Sequence, residues 1–355
     1  MTQHTPKTQE EYSAKIPALQ VLMAMGYDYL TAEHCLALRG SDREVLLREP
    51  LIKYLQQYRF TLRGHEHALS TNAIEQVIRD ITTPSMNEGL LSANERIYNQ
   101  LLLGITVTEF IDAKKESITV PLVNWSDIDK NNFHVSEEFS VLNTAGTQSR
   151  RPDIVCFVNG IPLVIIEAKR PDSHNPNKNM LKEGISQQIR NQKADEIPYL
   201  FAYSQLLLSI NGIDGRYATT KTNAKFWTGW REEDLTVDDF NAIKNKPLST
   251  AQKDALFNQR DPSYRRYFET LWSEHVVATE QDTLLISLLK PNRLLEFVQY
   301  SILFDKKAGK IAARYAQAFA IKRLVEQISD VTLEGHRKGG VIWHTTGSGK
   351  SFTMV

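Results

Sequence analysis

The stretch that decides the fold reads Arg151-Pro152-Asp153-Ile154-Val155-Cys156-Phe157-Val158-Asn159-Gly160-Ile161-Pro162-Leu163-Val164-Ile165-Ile166-Glu167-Ala168-Lys169. Two apolar runs rich in β-branched residues flank Asn159-Gly160, a dipeptide that favours tight hairpin turns. Neither run alternates polar with apolar, so both faces of each strand are expected to be covered, with the hairpin inside a sheet. Asp153 opens the first run, and Glu167 and Lys169 close the second. Charges at the end of a buried hairpin need compensation, because an unpaired buried charge is costly. Two carboxylates at neighbouring strand ends suit Mg²⁺, a hard cation held by one or two carboxylates together with waters and phosphate oxygens. A cation held there would assist hydrolysis of a phosphodiester. Lys169 falls on the same strand face as Glu167. Its ammonium can orient an attacking water and offset charge on the phosphorane, and the Ala168 carbonyl is a candidate extra ligand.

Register sets a condition on this reading. A plain two-residue turn would place Ile166 opposite Asp153 and aim the acids at opposite faces. Asp153 and Glu167 share a face only when they pair with each other, which calls for a wider turn or a β-bulge near residues 159–162. Pro162 fits such an irregularity, since proline cannot donate to the ladder. The competing reading is an ordinary hairpin whose strand ends carry solvated charges, because the D…ExK spacing alone is common in soluble chains.

A chain of 355 residues suggests two domains and part of a third. Lys and Arg together number 42, as do Asp and Glu, for a net charge of +0. That balance argues against a protein that coats DNA through bulk charge, but leaves room for a local basic cleft. Cys35 and Cys156 stand far apart, with neither metal-ligand nor disulfide-framework spacing, as expected in a reducing, cytoplasmic setting. The first ten residues are polar and lack signal-peptide character. The longest apolar stretch, residues 197–210, is broken by Ser204 and Gln205 and is too short to span a bilayer. No membrane association is expected.

Residues 10–58 carry a helical pattern, with Ile16, Leu19, Val21, Leu22 and Met25 supplying an apolar face. Ser41-Asp42-Arg43-Glu44 has capping-box spacing ahead of Val45-Leu46-Leu47. His65 and His67 flank Glu66, but without further ligands nearby they read as a solvated loop. Helices are expected over residues 71–81, 94–103, 180–192 and 284–304. Strands are expected over residues 105–110, 117–122, 131–141, 197–210 and 217–220. Trp227 and Trp230 could stack on bases, although anchoring a domain edge is the preferred reading.

A second motif closes the chain. Residues 339–344 read as a strand, followed by Thr345-Thr346-Gly347-Ser348-Gly349-Lys350-Ser351. This is a Walker A loop whose first glycine is replaced by His344. Its glycines let backbone amides curl around phosphate, Lys350 reaches the β/γ oxygens and Ser351 offers its hydroxyl to Mg²⁺. The loop at Thr346, Gly347, Ser348, Gly349, Lys350 and Ser351 implies ATP as a ligand. With Val355 as the last residue, the motor is expected to be truncated and unable to hydrolyse ATP.

The central hairpin, with Arg170-Pro171 after it, resembles the nuclease signature of the R subunit of type I restriction endonucleases, within the PD-(D/E)xK nuclease group. The likeness covers most of the chain. It implies metal binding by Asp153 and Glu167 and a catalytic role for Lys169. It also implies a glutamate from a helix ahead of the hairpin, best matched by Glu95, although Glu95 reads equally well as a surface residue of a first helical turn. The family's Gln-xxx-Tyr element maps onto Gln188 and Gln192, so glutamine stands at the tyrosine position. Gln188 would orient the lysine and contact DNA, or simply belong to the wet face of a helix. Gln317, in Arg314-Tyr315-Ala316-Gln317, would read an adenine edge or form part of a plain amphipathic helix.

The expected fold is α/β. A helical N-terminal region (1–90) precedes a mixed-sheet PD-(D/E)xK nuclease domain (91–240), a helical linker (241–305) and the truncated start of a RecA-like domain (306–355). The implied function is Mg²⁺-dependent cleavage of double-stranded DNA. ATP-driven translocation would belong to the full-length subunit, with modification (M) and specificity (S) subunits as partners. Two other classes stay open: a non-catalytic module docking a motor onto the methyltransferase core, and a P-loop ATPase fragment whose hairpin is structural.

Overall fold

The computed structural model describes residues 7–82, 84–171, 179–331, 335–337 and 341. Six strands form the central sheet: Asp28–Leu30 (β1), Phe133–Glu137 (β2), Ile154–Val158 (β3), Ile161–Ala168 (β4), Leu206–Ile210 (β5) and Gly215–Ala218 (β6). They lie side by side in that order. The sheet is mixed: β1 with β2 and β4 with β5 run parallel, and the other neighbours run antiparallel. Every residue of β3 and β4 is buried, as continuous apolar strands covered on both faces require.

Helices supply the covers. Ile16–Ala24 (α1), Leu90–Leu103 (α2), Met180–Asn191 (α3) and Pro198–Tyr203 (α4) lead into or follow the sheet strands. Thr250–Phe257 (α5), Pro262–Leu271 (α6) and Glu280–Leu289 (α7) come from the segment read as a linker. They do not hang outside the core. Tyr27 Oη donates to the Leu289 carbonyl at 2.7 Å, and Gln281 Nε2 to the Ala14 carbonyl at 3.1 Å. Lys244 and Asp282 form a buried ion pair at 2.9 Å. One continuous set of buried apolar side chains runs from Tyr12 to Phe319.

Several sequence expectations hold. Thr71–Thr82 is helical, and Ile105–Ile111 pairs with Lys114–Val120 as a hairpin. Trp227 and Trp230 are buried, as domain-edge anchors should be. Others need correction. The N-terminal region is not purely helical, since it gives β1 to the sheet and a hairpin, Arg59–Leu62 with His65–Ala68. His65 and His67 thus sit on a strand rather than in a loop. The capping box at Ser41 starts no helix; the next one begins at Arg48. Ser41 Oγ instead accepts from the Arg43 N–H in a turn, and the Leu47 N–H reaches across to the Gly160 carbonyl.

Residues 197–210 are not one strand. Pro198 starts α4, and only Leu206–Ile210 is extended. Proline at the first helical position loses no hydrogen bond and presets φ, so an apolar run behind it can coil. Likewise 284–304 is two helices, α7 and Pro291–Tyr300, followed by the strand Ile302–Asp305.

Candidate active site

The site begins at the turn. Asn159 and Gly160 both have positive φ, 50° and 82°, the geometry that matches strand twist in a two-residue hairpin. Asn159 is fixed there because its Nδ2 donates to the Leu122 carbonyl at 3.0 Å and to Asn131 Oδ1 at 2.8 Å. Gly160 is required sterically: a Cβ would meet the Leu47 carbonyl oxygen at 2.3 Å. From this turn the ladder runs Ile161 to Val158 and Pro162 to Phe157, then shifts so that Val164 faces Cys156 and Ile166 faces Ile154. Leu163 is the extra residue. Its carbonyl accepts the Gln205 N–H at 2.7 Å, which ties the bulge to the chain entering β5.

The bulge therefore sits one residue beyond the expected window, and it has the expected effect. Continued by one pair, the register sets Glu167 opposite Asp153. Lys169 Nζ lies 3.2 Å from Asp153 Oδ2 and 3.5 Å from Glu167 Oε2, so the three side chains share one face. The Ala168 N–H donates to Asp153 Oδ2 at 2.8 Å. All three side chains are buried, Glu167 completely.

Burial of this kind strains the charges. Desolvation, and then the charge of Asp153, push the Glu167 carboxyl well above the usual carboxylate range, against the pull of Lys169. Burial works against the Lys169 ammonium, but Asp153 and Glu167 outweigh it and hold the amine above its ordinary value. One oxygen remains unserved: Glu167 Oε1 is buried without a hydrogen-bond partner among the described residues. An orphaned carboxylate oxygen beside a second carboxylate is a donor set that suits a hard divalent cation. Among the described residues no group of three or more His, Cys, Asp or Glu could hold a metal. The fit is therefore to a cation that takes its remaining ligands from water and substrate.

The structure separates the other expected residues. Glu95 lies exposed on α2, whose inner face is held by Asn94 Nδ2 donating to the carbonyls of Phe201, Ala202 and Ser204. The acid whose charge acts on the site is Glu10, immediately ahead of a π-helical turn, Glu11–Lys15. Burial raises its carboxyl, Lys169 pulls it down and Asp153 pushes it up. The sequence reading passed over it; the signal available was a Glu10-Glu11 pair opening the first helix, well ahead of the hairpin.

Gln188 is completely buried on α3. Its Nε2 donates to the carbonyls of Ile165 at 3.1 Å and Leu208 at 3.2 Å, so it ties α3 to β4 and β5. That excludes the wet-face reading, since no surface of Gln188 is exposed. Gln192 is also buried, its Oε1 accepting the Lys221 N–H. Gln317 stands in the first turn of the helix Tyr315–Ser329, where its Oε1 accepts the Arg314 N–H at 2.9 Å. Thr346, Gly347, Ser348, Gly349, Lys350 and Ser351 lie outside the described residues.

Comparison with known proteins extends the geometry. Residues 7–226 match the family model described as type I restriction enzyme R protein N terminus. Residues 316–355 match that of the SWI2/SNF2 ATPase. A putative type I restriction enzyme MjaIXP endonuclease subunit from Methanocaldococcus jannaschii is 28% identical over 369 aligned residues, which cover 100% of this chain and 32% of the relative. The type I restriction enzyme HindI endonuclease subunit of Haemophilus influenzae is 28% identical over 95% of this chain and 28% of its own length. A putative MjaVIIP endonuclease subunit, also from Methanocaldococcus jannaschii, is 31% identical over 69% of this chain and 20% of its own. The chain thus spans about a third or less of the length of these relatives.

Proposed function

The chain belongs to the type I restriction enzyme R protein family, and on that premise we propose that its sheet carries a Mg²⁺-dependent endonuclease centre hydrolysing phosphodiester bonds of double-stranded DNA. One observation carries the reading: a bulge at Leu163 turns Glu167 onto the face of Asp153, with Lys169 Nζ 3.2 Å and 3.5 Å from their oxygens. A purely structural hairpin gains nothing from a wholly buried carboxylate with an unpartnered oxygen.

Asp153 and Glu167 would hold the cation, with Glu167 Oε1 as the oxygen free to bind. When bound, Mg²⁺ would polarise the scissile phosphate and promote ionisation of the attacking water. Asp153 is kept in place by the Ala168 N–H, so its second oxygen can face the cation while the first is satisfied. Lys169 balances the acids in the absence of metal. Relieved of that task by a divalent ion, its ammonium is the group placed to meet phosphate oxygens and orient the water. Arg151 and Arg170 are exposed just outside the site and are suited to DNA phosphates on either side.

The proposal extends to the longer protein. The match of residues 316–355 to an ATPase family supports a RecA-like motor continuing from this chain, with Thr346, Gly347, Ser348, Gly349, Lys350, Ser351 and Gln317 serving ATP. The names of the relatives support a subunit of a type I restriction enzyme; modification (M) and specificity (S) subunits as partners and the cytoplasm as its place belong to the same proposal. No helix among the described residues is long and apolar enough to cross a membrane.

Nicking of supercoiled plasmid tests the reading against a docking module. Wild-type protein with Mg²⁺ or Mn²⁺ is expected to nick, and Lys169→Ala, still melting cooperatively, to lose at least about 100-fold in rate. Equal nicking by both would remove Lys169 from the chemistry. No metal-dependent nicking by either would favour the docking module.

A further inference from the structure

Beside the proposed metal site lies a second, partly buried cluster of charges that the hydrolysis itself does not use. Its centre is Lys15 at the end of the π-helical turn Glu11–Lys15. The Lys15 ammonium lies 2.9 Å from Glu11, 2.7 Å from Glu138 and 3.7 Å from Glu137. A second cation meets two of the same acids. Arg260, in the bend between α5 and α6, places Nη2 2.6 Å from Glu137 Oε1 and 3.0 Å from Glu11 Oε1. Glu137 also accepts from the Tyr29 hydroxyl.

Three features make this cluster more than a packing detail. The first is its reach. Glu137 ends β2, and the next residue, Glu138, donates its backbone N–H to the Asp153 carbonyl at 3.1 Å, with its own φ strained to +49°. The second is the turn itself. A π-helical turn is rare and concentrates at functional sites, because the inserted residue rotates what precedes it relative to the helix that follows. What precedes it here is Glu10, whose carboxyl burial pushes up and Lys169 draws down. The third is the anchoring. Tyr12, inside the turn, stacks on Tyr264 of α6 at 4.4 Å and 11° and packs edge-on to Tyr267. The turn is therefore clamped from one side by α5 and α6 and joined on the other to the strand end that holds Asp153.

We propose that Arg260 is a positioning residue of the nuclease centre: by bridging Glu11 and Glu137 it locks the N-terminal turn against the end of β2, where the Glu138 N–H holds the Asp153 carbonyl. The proposal rests on Asp153 and Glu167 being the cation site.

Two variants test it in the full chain. Arg260→Gln removes both ion pairs, and Glu11→Gln cuts the arm to the N-terminal turn together with the Glu11–Lys15 pair, leaving Glu137 paired with Arg260. Both are expected to melt cooperatively yet bind Mn²⁺ about 10-fold more weakly by calorimetry, the scale of losing an outer-shell contact. Amide exchange across residues 10–15 is expected to quicken in both, with exchange in Ile154–Val158 unchanged. Wild-type Mn²⁺ affinity and wild-type exchange in the two variants would overturn the clamp, as would a lowered melting temperature with neither readout altered. The cation site is judged separately by Asp153→Ala. If that variant binds Mn²⁺ like wild type, the cation site fails, and the exchange data alone still decide whether Arg260 holds the turn.

Discussion

At the scale of single residues, burying the acids at the end of the hairpin costs stability. Glu167 is held above its usual range first by burial and then by Asp153. The folded state therefore keeps a proton that the unfolded chain has already released. Between the ordinary glutamate value, about 4.3, and the raised one, the native state binds more protons, so stability falls as pH rises through that window. Glu167→Gln removes the penalty. Thermal melts of the metal-free protein from pH 5 to 8 are expected to fall less steeply for the variant. Its melting temperature at pH 8 is expected to exceed wild type by roughly 2–4 °C for each kcal/mol relieved. Parallel pH profiles would mean that Glu167 is ionised without cost. Asp153, Glu167 and Lys169 were legible in the sequence because three charges bracketing two wholly apolar runs demand compensation. Glu10 was not, because the pattern around a helix start does not say which distant strand end it meets.

At the scale of elements, the register is the main lesson. Alternation with a period of two forbids the acids to converge across a plain Asn-Gly turn, so the irregularity could be demanded before it was seen. Its position at Leu163 depended on Gln205, which local sequence does not reveal. The same limit explains α4: a short apolar run fits a buried strand and a buried helix equally, and Pro198 was the one local sign of a helix start. Helix α3 is placed by Gly184, where a Cβ would lie 2.3 Å from Ser209 Oγ and 3.5 Å from the Glu167 Cβ. Gly184→Ala is thus expected to lift the helix from β4 and β5, at about 1–3 kcal/mol. Calorimetry should also find weaker Mn²⁺ binding. A variant as stable as wild type would show that Ser209 turns aside and that the close approach is not needed.

At the scale of the whole molecule, the segment 241–305 behaves as part of the core rather than as a spacer. Tyr27 donates to the Leu289 carbonyl, Gln281 to that of Ala14, and Gln20 of α1 to that of Lys244, while the Lys244–Asp282 pair is buried within the segment. Composition and periodicity marked the segment as helical but gave neither its separate helices nor their docking, since an amphipathic face does not name its partner. A chain cut at residue 240 would expose the covered face of α1 and lose its cooperative melting transition by circular dichroism. A sharp transition at the wild-type temperature would restore the picture of an independent nuclease domain. The central claim concerns the cation, and the most direct measurement is the anomalous density of a crystal soaked in Mn²⁺. The account predicts one peak between the carboxylates of Asp153 and Glu167, about 2.2 Å from Glu167 Oε1, with Lys169 Nζ moved off the two acids. No peak there, with Lys169 still bridging the pair in crystals that bind Mn²⁺ elsewhere, would contradict it.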